Sequence, residues 1–141
     1  MKHAMFLRTV VFVFFILCAT VSSAQTARPF KGTWSSADLY VNIDFYGKTI
    51  PDPNSMDEYP CAGVIRIRPG VDTMTYTIEN VKMSGNKATA TVYFVERNSN
   101  LTFEYQSDGS MKVTSNDGFT YVDDSGQVKL PEKSYTLRRT K

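Results

Sequence analysis

Ala88-Thr-Ala-Thr-Val-Tyr-Phe-Val-Glu96, followed by Arg97, Asn98-Ser-Asn100 and Leu101-Thr-Phe-Glu-Tyr105, is the stretch that decides the fold. Apolar and polar residues alternate along it at a period of two, which puts Ala88, Ala90, Val92 and Phe94 on one face of an extended chain. A second alternating run begins at Leu101. Two such runs separated by Asn98-Ser99-Asn100 predict an antiparallel hairpin that reverses at those residues.

The same pattern extends in both directions. Upstream, Leu39 to Phe45 places Leu39, Val41, Ile43 and Phe45 on one face and Tyr40, Asn42 and Asp44 on the other. Val64 to Arg68 turns Ile65 and Ile67 inward, and Thr75 to Met83 changes parity between Ile78 and Val81, which predicts a bulge near Asn80. Ser84-Gly85-Asn86 turns the chain into Ala88. Downstream, Asp108-Gly109 leads into Met111 to Ser115, and Asn116-Asp117-Gly118 leads into Phe119-Thr-Tyr121. Asp123 to Gly126 is a further turn, Gln127 to Lys133 reads as a connector, and Ser134 to Arg138 is the final strand. About eight strands at roughly ten-residue spacing predict an all-β fold, an antiparallel eight-strand barrel with a β-sandwich as the alternative.

Residues 1–24 have a different character. Lys2 and Arg8 precede the apolar run Val10 to Ala19, which ends in Ser22-Ser23-Ala24. This is the pattern of a secretory signal peptide cleaved after Ala24, and its apolar core is shorter than the ~20 residues a membrane-spanning helix needs. The expected mature chain is residues 25–141, a single domain without a transmembrane segment, secreted or periplasmic.

Removing the leader changes the chemistry. His3 is the one histidine and Cys18 is one of two cysteines, so the mature chain has no histidine and keeps Cys61 as its single thiol. That excludes a Ser-His-Asp triad, a Cys-His pair and an intramolecular disulfide. Two of the 16 basic residues, Lys2 and Arg8, also leave, so 14 face 14 acidic ones. A neutral chain without a basic cluster predicts no nucleic-acid partner.

Lys31-Gly32-Thr33-Trp34 opens the first strand and Arg138-Arg139 ends the last. In this the chain resembles lipocalin-like (calycin) barrels, where a Gly-x-Trp starts the first strand and an arginine of the last strand lies over the indole. The resemblance implies that Gly32, Trp34 and Arg138 or Arg139 close one end, and that an apolar cavity opens at the other. Leu39 to Pro51, with Lys129-Leu130-Pro131, is also similar to small exported proteins of Bacteroidetes bacteria, which implies a Gram-negative periplasm or cell exterior and no particular activity.

The segment Tyr46 to Gly63 is long and carries Pro51, Pro53 and Pro60, so it is expected to be an irregular, function-bearing loop. Its acidic stretch Asp52 to Glu58 lacks the glycine and glutamate positions of a calcium loop, and no metal or cofactor is expected. Glu96 and Glu104 fall on opposite faces, which argues against a carboxylate pair.

The expected function is that of a non-enzymatic exported binding protein. Tyr46, Tyr59, Phe94, Phe103, Tyr105 and Tyr121 are the candidate lining for a small apolar or amphipathic ligand. The alternative is a cell-envelope interaction protein with a solid core that contacts a protein or glycan through residues 46–63.

Overall fold

In a computed structural model, described here for residues 29–53, 59–68 and 74–140, all regular structure is β. The expected leader, residues 1–24, and the acidic loop residues 54–58 lie outside the described residues. Eight strands close into a barrel: β1 (Gly32–Ser35), β2 (Leu39–Ile43), β5 (Gly63–Ile67), β6 (Thr75–Ser84), β7 (Lys87–Phe94), β8 (Arg97–Tyr105), β9 (Met111–Ser115) and β12 (Ser134–Arg139). Each pairs antiparallel with its neighbour in chain order, and β12 returns to β1 through Trp34↔Arg139 and Ser35↔Arg138. Closure of this up-and-down order leaves the wall without an edge strand.

Two short hairpins interrupt the meander. β3 (Ile50–Pro51) pairs with β4 (Pro60–Cys61) between β2 and β5, and β10 (Thr120–Asp123) pairs with β11 (Gly126–Lys129) between β9 and β12.

Alternation accounts for the interior. Ala88, Ala90, Val92 and Phe94 of β7 meet Leu101 and Phe103 of β8, Met111 and Val113 of β9, and Ile65 and Ile67 of β5, all buried. The parity change in β6 is a bulge between Glu79 and Lys82, with Asn80 in the left-handed region at φ 54°.

Several expectations are corrected. The β7–β8 hairpin forms, but it reverses at Val95-Glu96, with Phe94 opposite Arg97; Asn98 to Asn100 are strand residues. Both turn residues have positive φ (36° and 70°), which a two-residue turn with the native twist requires and which a β-branched valine resists. Packing decides the register: Val95 lies against the core and Ser99, Leu101 and Phe103 all turn inward, an arrangement that a reversal three residues later would lose.

The eighth wall strand is β1, not the segment around Phe119, which belongs to the β10–β11 hairpin; Gln127 to Lys129 is strand rather than connector. Asp44, expected on the outer face of a strand, follows the end of β2 and is buried. Residues 46–63 also contain a ladder. Pro51 and Pro60 stand opposite each other, a non-hydrogen-bonded pair in which neither proline has to donate.

Candidate functional site

Strand polarity divides the barrel into two ends. The start of β1, the end of β12 and the β2–β5 connection lie at one; the β1–β2, β7–β8 and β9–β12 connections lie at the other.

At the first end Trp34 is fully buried, and its Nε1–H donates to the Phe30 carbonyl at 3.3 Å. Tyr105 meets the indole edge-on at 6.2 Å. Arg139, directly opposite Trp34 in the ladder, holds its guanidinium carbon 4.2 Å from the ring centroid. The same guanidinium donates to the Pro29 carbonyl at 2.8 Å and to the Lys31 carbonyl. Successive strand residues point to opposite faces, so Arg138 turns outward to Asp108 at 3.3 Å. Gly32, at φ 135°, supplies the bend that leads into the tryptophan.

Beside this lock sits Asp44. Its carboxylate accepts from the amides of Tyr46 (3.1 Å) and Gly47 (2.9 Å) and from the Thr49 hydroxyl (2.7 Å), with Lys31 Nζ at 3.8 Å. Burial works to raise its pKa, but these donors and the lysine outweigh it and hold the carboxyl below its ordinary value. A Cβ on Gly47 would stand 2.8 Å from Asp44 Oδ2, so the tight turn requires glycine there. The sequence signal was Asp44-Phe-Tyr-Gly47, an Asx-turn pattern at the exit of a strand.

The chain after Tyr46 leaves from this same end, and at the outer wall Asp52 Oδ1 accepts from Thr77 Oγ1 of β6 at 2.9 Å. Cys61 is half-buried, its thiol donates to the Gly63 carbonyl at 3.3 Å, and burial pushes its pKa up, which disfavours a thiolate. Among the described residues no group of three or more His, Cys, Asp or Glu side chains is placed to hold a metal ion. Among the described residues no helix is long and apolar enough to cross a membrane.

The opposite end is covered by the β10–β11 hairpin. Phe119, at its entry, is fully buried, with its ring 6.1 Å from Phe94 and 5.6 Å from Tyr135. Tyr76 continues the cluster 5.0 Å from Phe94, and Tyr121 and Leu130 are buried with them. The Leu130 amide closes the hairpin base on the Phe119 carbonyl at 2.9 Å.

The candidate lining residues do not form one surface. Phe94 and Tyr121 pack beneath the hairpin, Phe103 lies 5.2 Å from Phe45 toward the Trp34 end, and Tyr105 is half-buried against Trp34. Tyr46 is half-buried, with its hydroxyl 3.5 Å from the Phe30 amide, and Tyr59 is exposed. Glu96 occupies a turn, whereas Glu104 pairs with Lys87 at 3.9 Å.

Space for a partner lies outside. Two solvent-open clefts flank the Val95-Glu96 turn. One, of about 410 Å³, is mainly polar, with Glu96, Arg97, Asp117 and Lys129 on its walls. The other, of about 360 Å³, runs between Met74, Tyr93 and Val122 with Asp52, Glu79 and Glu96 around it. A third, of about 460 Å³, lies where Lys48 and Cys61 approach the β6 bulge. Tyr93 was legible as outward, since Val92 and Phe94 on either side of it turn in. Nothing in the sequence brought it to Val122 or Met74.

No protein-family model matches this sequence, and no curated protein or solved structure matches it; the closed eight-strand barrel is consistent with the lipocalin-like resemblance drawn from Gly32, Trp34 and Arg139, whereas the likeness of the Leu39–Pro51 segment rests on its residues alone.

Proposed function

We propose that the protein is a non-enzymatic, exported interaction protein built on a lipocalin-like barrel whose interior is filled by its own side chains. Recognition then takes place on the outer surface. The carrying observation is Phe119: the residue that seals the barrel end opposite Trp34 is fully buried against Phe94 and Tyr135, where a ligand-carrying barrel keeps its mouth. The tryptophan–arginine pair at the other end supports the lipocalin-like assignment. Export rests on the charged start, apolar core and small-residue end of residues 1–24.

Native mass spectrometry of the protein purified from its own host tests the reading. The expected result is the mass of the polypeptide alone, starting at Gln25. A small apolar molecule that co-purifies and is released on denaturation would overturn it in favour of a ligand carrier.

A further inference from the structure

Among the external clefts, the one between Tyr93 and Val122 combines three features that point to one kind of occupant. The first is exposed apolar surface. Met74, Tyr93 and Val122 are 64%, 59% and 42% exposed, whereas the other large apolar side chains among the described residues are mostly core. A tyrosine ring with its polar tip in water is a typical interface anchor.

The second is charge. Asp52, Glu79 and Glu96 surround the cleft, and no lysine or arginine is among its described lining residues. Asp52 is held in place by Thr77 and so forms part of one wall. A cationic occupant is thereby favoured and an acidic one opposed.

The third is main chain. β10, which carries Val122, pairs only with β11 in a two-stranded sheet, and among the described residues no strand lies along its other edge. The closed barrel has no free edge to offer, so this is a place where an extended segment can add a strand beside apolar anchors.

We propose that this cleft is a docking groove for an extended polypeptide segment of alternating basic and apolar residues, paired along β10 and anchored on Tyr93. The proposal rests on the external-recognition reading above and names the surface and the partner chemistry. Apolar side chains of the segment lie on Tyr93, Met74 and Val122. Its lysines or arginines face Glu79, Glu96 and Asp52.

The probe is a fluorescein-labelled peptide of alternating lysine and valine, titrated with the full chain by fluorescence anisotropy. Saturable binding is expected, weakened about tenfold by Tyr93→Ala, as for an aromatic hot spot. It should also weaken severalfold in Glu79→Gln/Glu96→Gln and on raising salt from about 0.05 to 0.5 M, since exposed charge pairs are screened. N-methylation of alternate peptide nitrogens should reduce binding at least as much as Tyr93→Ala, because it blocks strand pairing. Tyr93 and Val122 are exposed, so Tyr93→Ala and Val122→Lys are expected to leave the fold intact.

The groove assignment is overturned if a glutamate–valine analogue binds equally, if Tyr93→Ala and Val122→Lys both bind within about twofold of the parent, or if the N-methylated probe binds unchanged. It is equally overturned if a neutral oligosaccharide, or a second copy of this chain, occupies the Tyr93 surface while the basic peptide does not. A small molecule lodged in the barrel would defeat the external-recognition reading. An empty barrel without peptide binding would defeat this groove alone.

Discussion

The two ends of the barrel are closed by different means. At one, Trp34 and Arg139 belong to wall strands that are ladder partners, and the guanidinium that covers the indole also ties down the Pro29 and Lys31 carbonyls. At the other, closure comes from a hairpin inserted between β9 and β12, which holds its place by packing Phe119, Tyr121 and Leu130 onto Phe94, Tyr76 and Tyr135. The first end joins residues about a hundred positions apart, so closing it is the step that makes a barrel from a sheet. The second end is added to a wall that is already closed. The wall should therefore depend more on the first end, and the state of the interior more on the second.

The largest effect is expected for Trp34→Ala. Removing a fully buried indole at the β1–β12 seam should cost about 3–5 kcal/mol in chemical denaturation, with the transition losing cooperativity if the seam opens. A loss below about 1 kcal/mol would mean that the seam is held without the ring.

Phe119→Ala is the matching cut at the other end. It should cost about 3 kcal/mol, at the lower edge of the range for large aromatics, because the hairpin can settle onto the wall. The wall strands should keep their far-ultraviolet circular dichroism, and a small apolar dye that the parent does not bind should enter the space left. Equal losses of cooperativity in the two variants would erase the distinction between the ends.

Arg139→Ala comes next. It removes the stacking contact and two donors to main-chain carbonyls at an exposed position, and about 1–2 kcal/mol is expected. Arg138→Ala, which removes only the outward contact with Asp108, should cost measurably less in the same denaturation series. A reversal of that order would place the wrong arginine over the indole.

The smallest and most specific effect concerns pH. The folded pKa of Asp44 is depressed, so its contribution to stability is complete above the ordinary carboxylate value of about 4. It is lost as pH falls through the lower folded value. Denaturation midpoints of the parent and of Asp44→Asn should therefore differ at pH 6 and converge toward pH 2.5. A constant difference would show that the carboxylate's charge is not what holds the turn beside Lys31.

The β class, the inward residues of β7 with Leu101 and Phe103 of β8, the bulge at Asn80 and the pairing of a tryptophan with a terminal arginine were all legible in the sequence. The first three follow from a period of two or from one local break in it, and local alternation is enforced by backbone geometry wherever a strand forms, whereas the tryptophan–arginine pair was implied by the resemblance to lipocalin-like barrels. The absence of histidine from the chain after Ala24 was likewise decided by composition.

Tertiary packing decided the rest. Val95-Glu96 became the turn although neither residue favours positive φ, because that register buries Ser99, Leu101 and Phe103 together. Phe119 and Tyr121 alternate as wall residues do, and alternation alone cannot distinguish a strand in the wall from a hairpin across its mouth. Asp44 carried strand parity but became a buried turn anchor, because donors from Tyr46, Gly47 and Thr49 converge on it only once the chain bends. The groove between Tyr93 and Val122 was invisible for the same reason: its two sides come from β7 and β10, and only the closed barrel with its inserted hairpin brings them face to face.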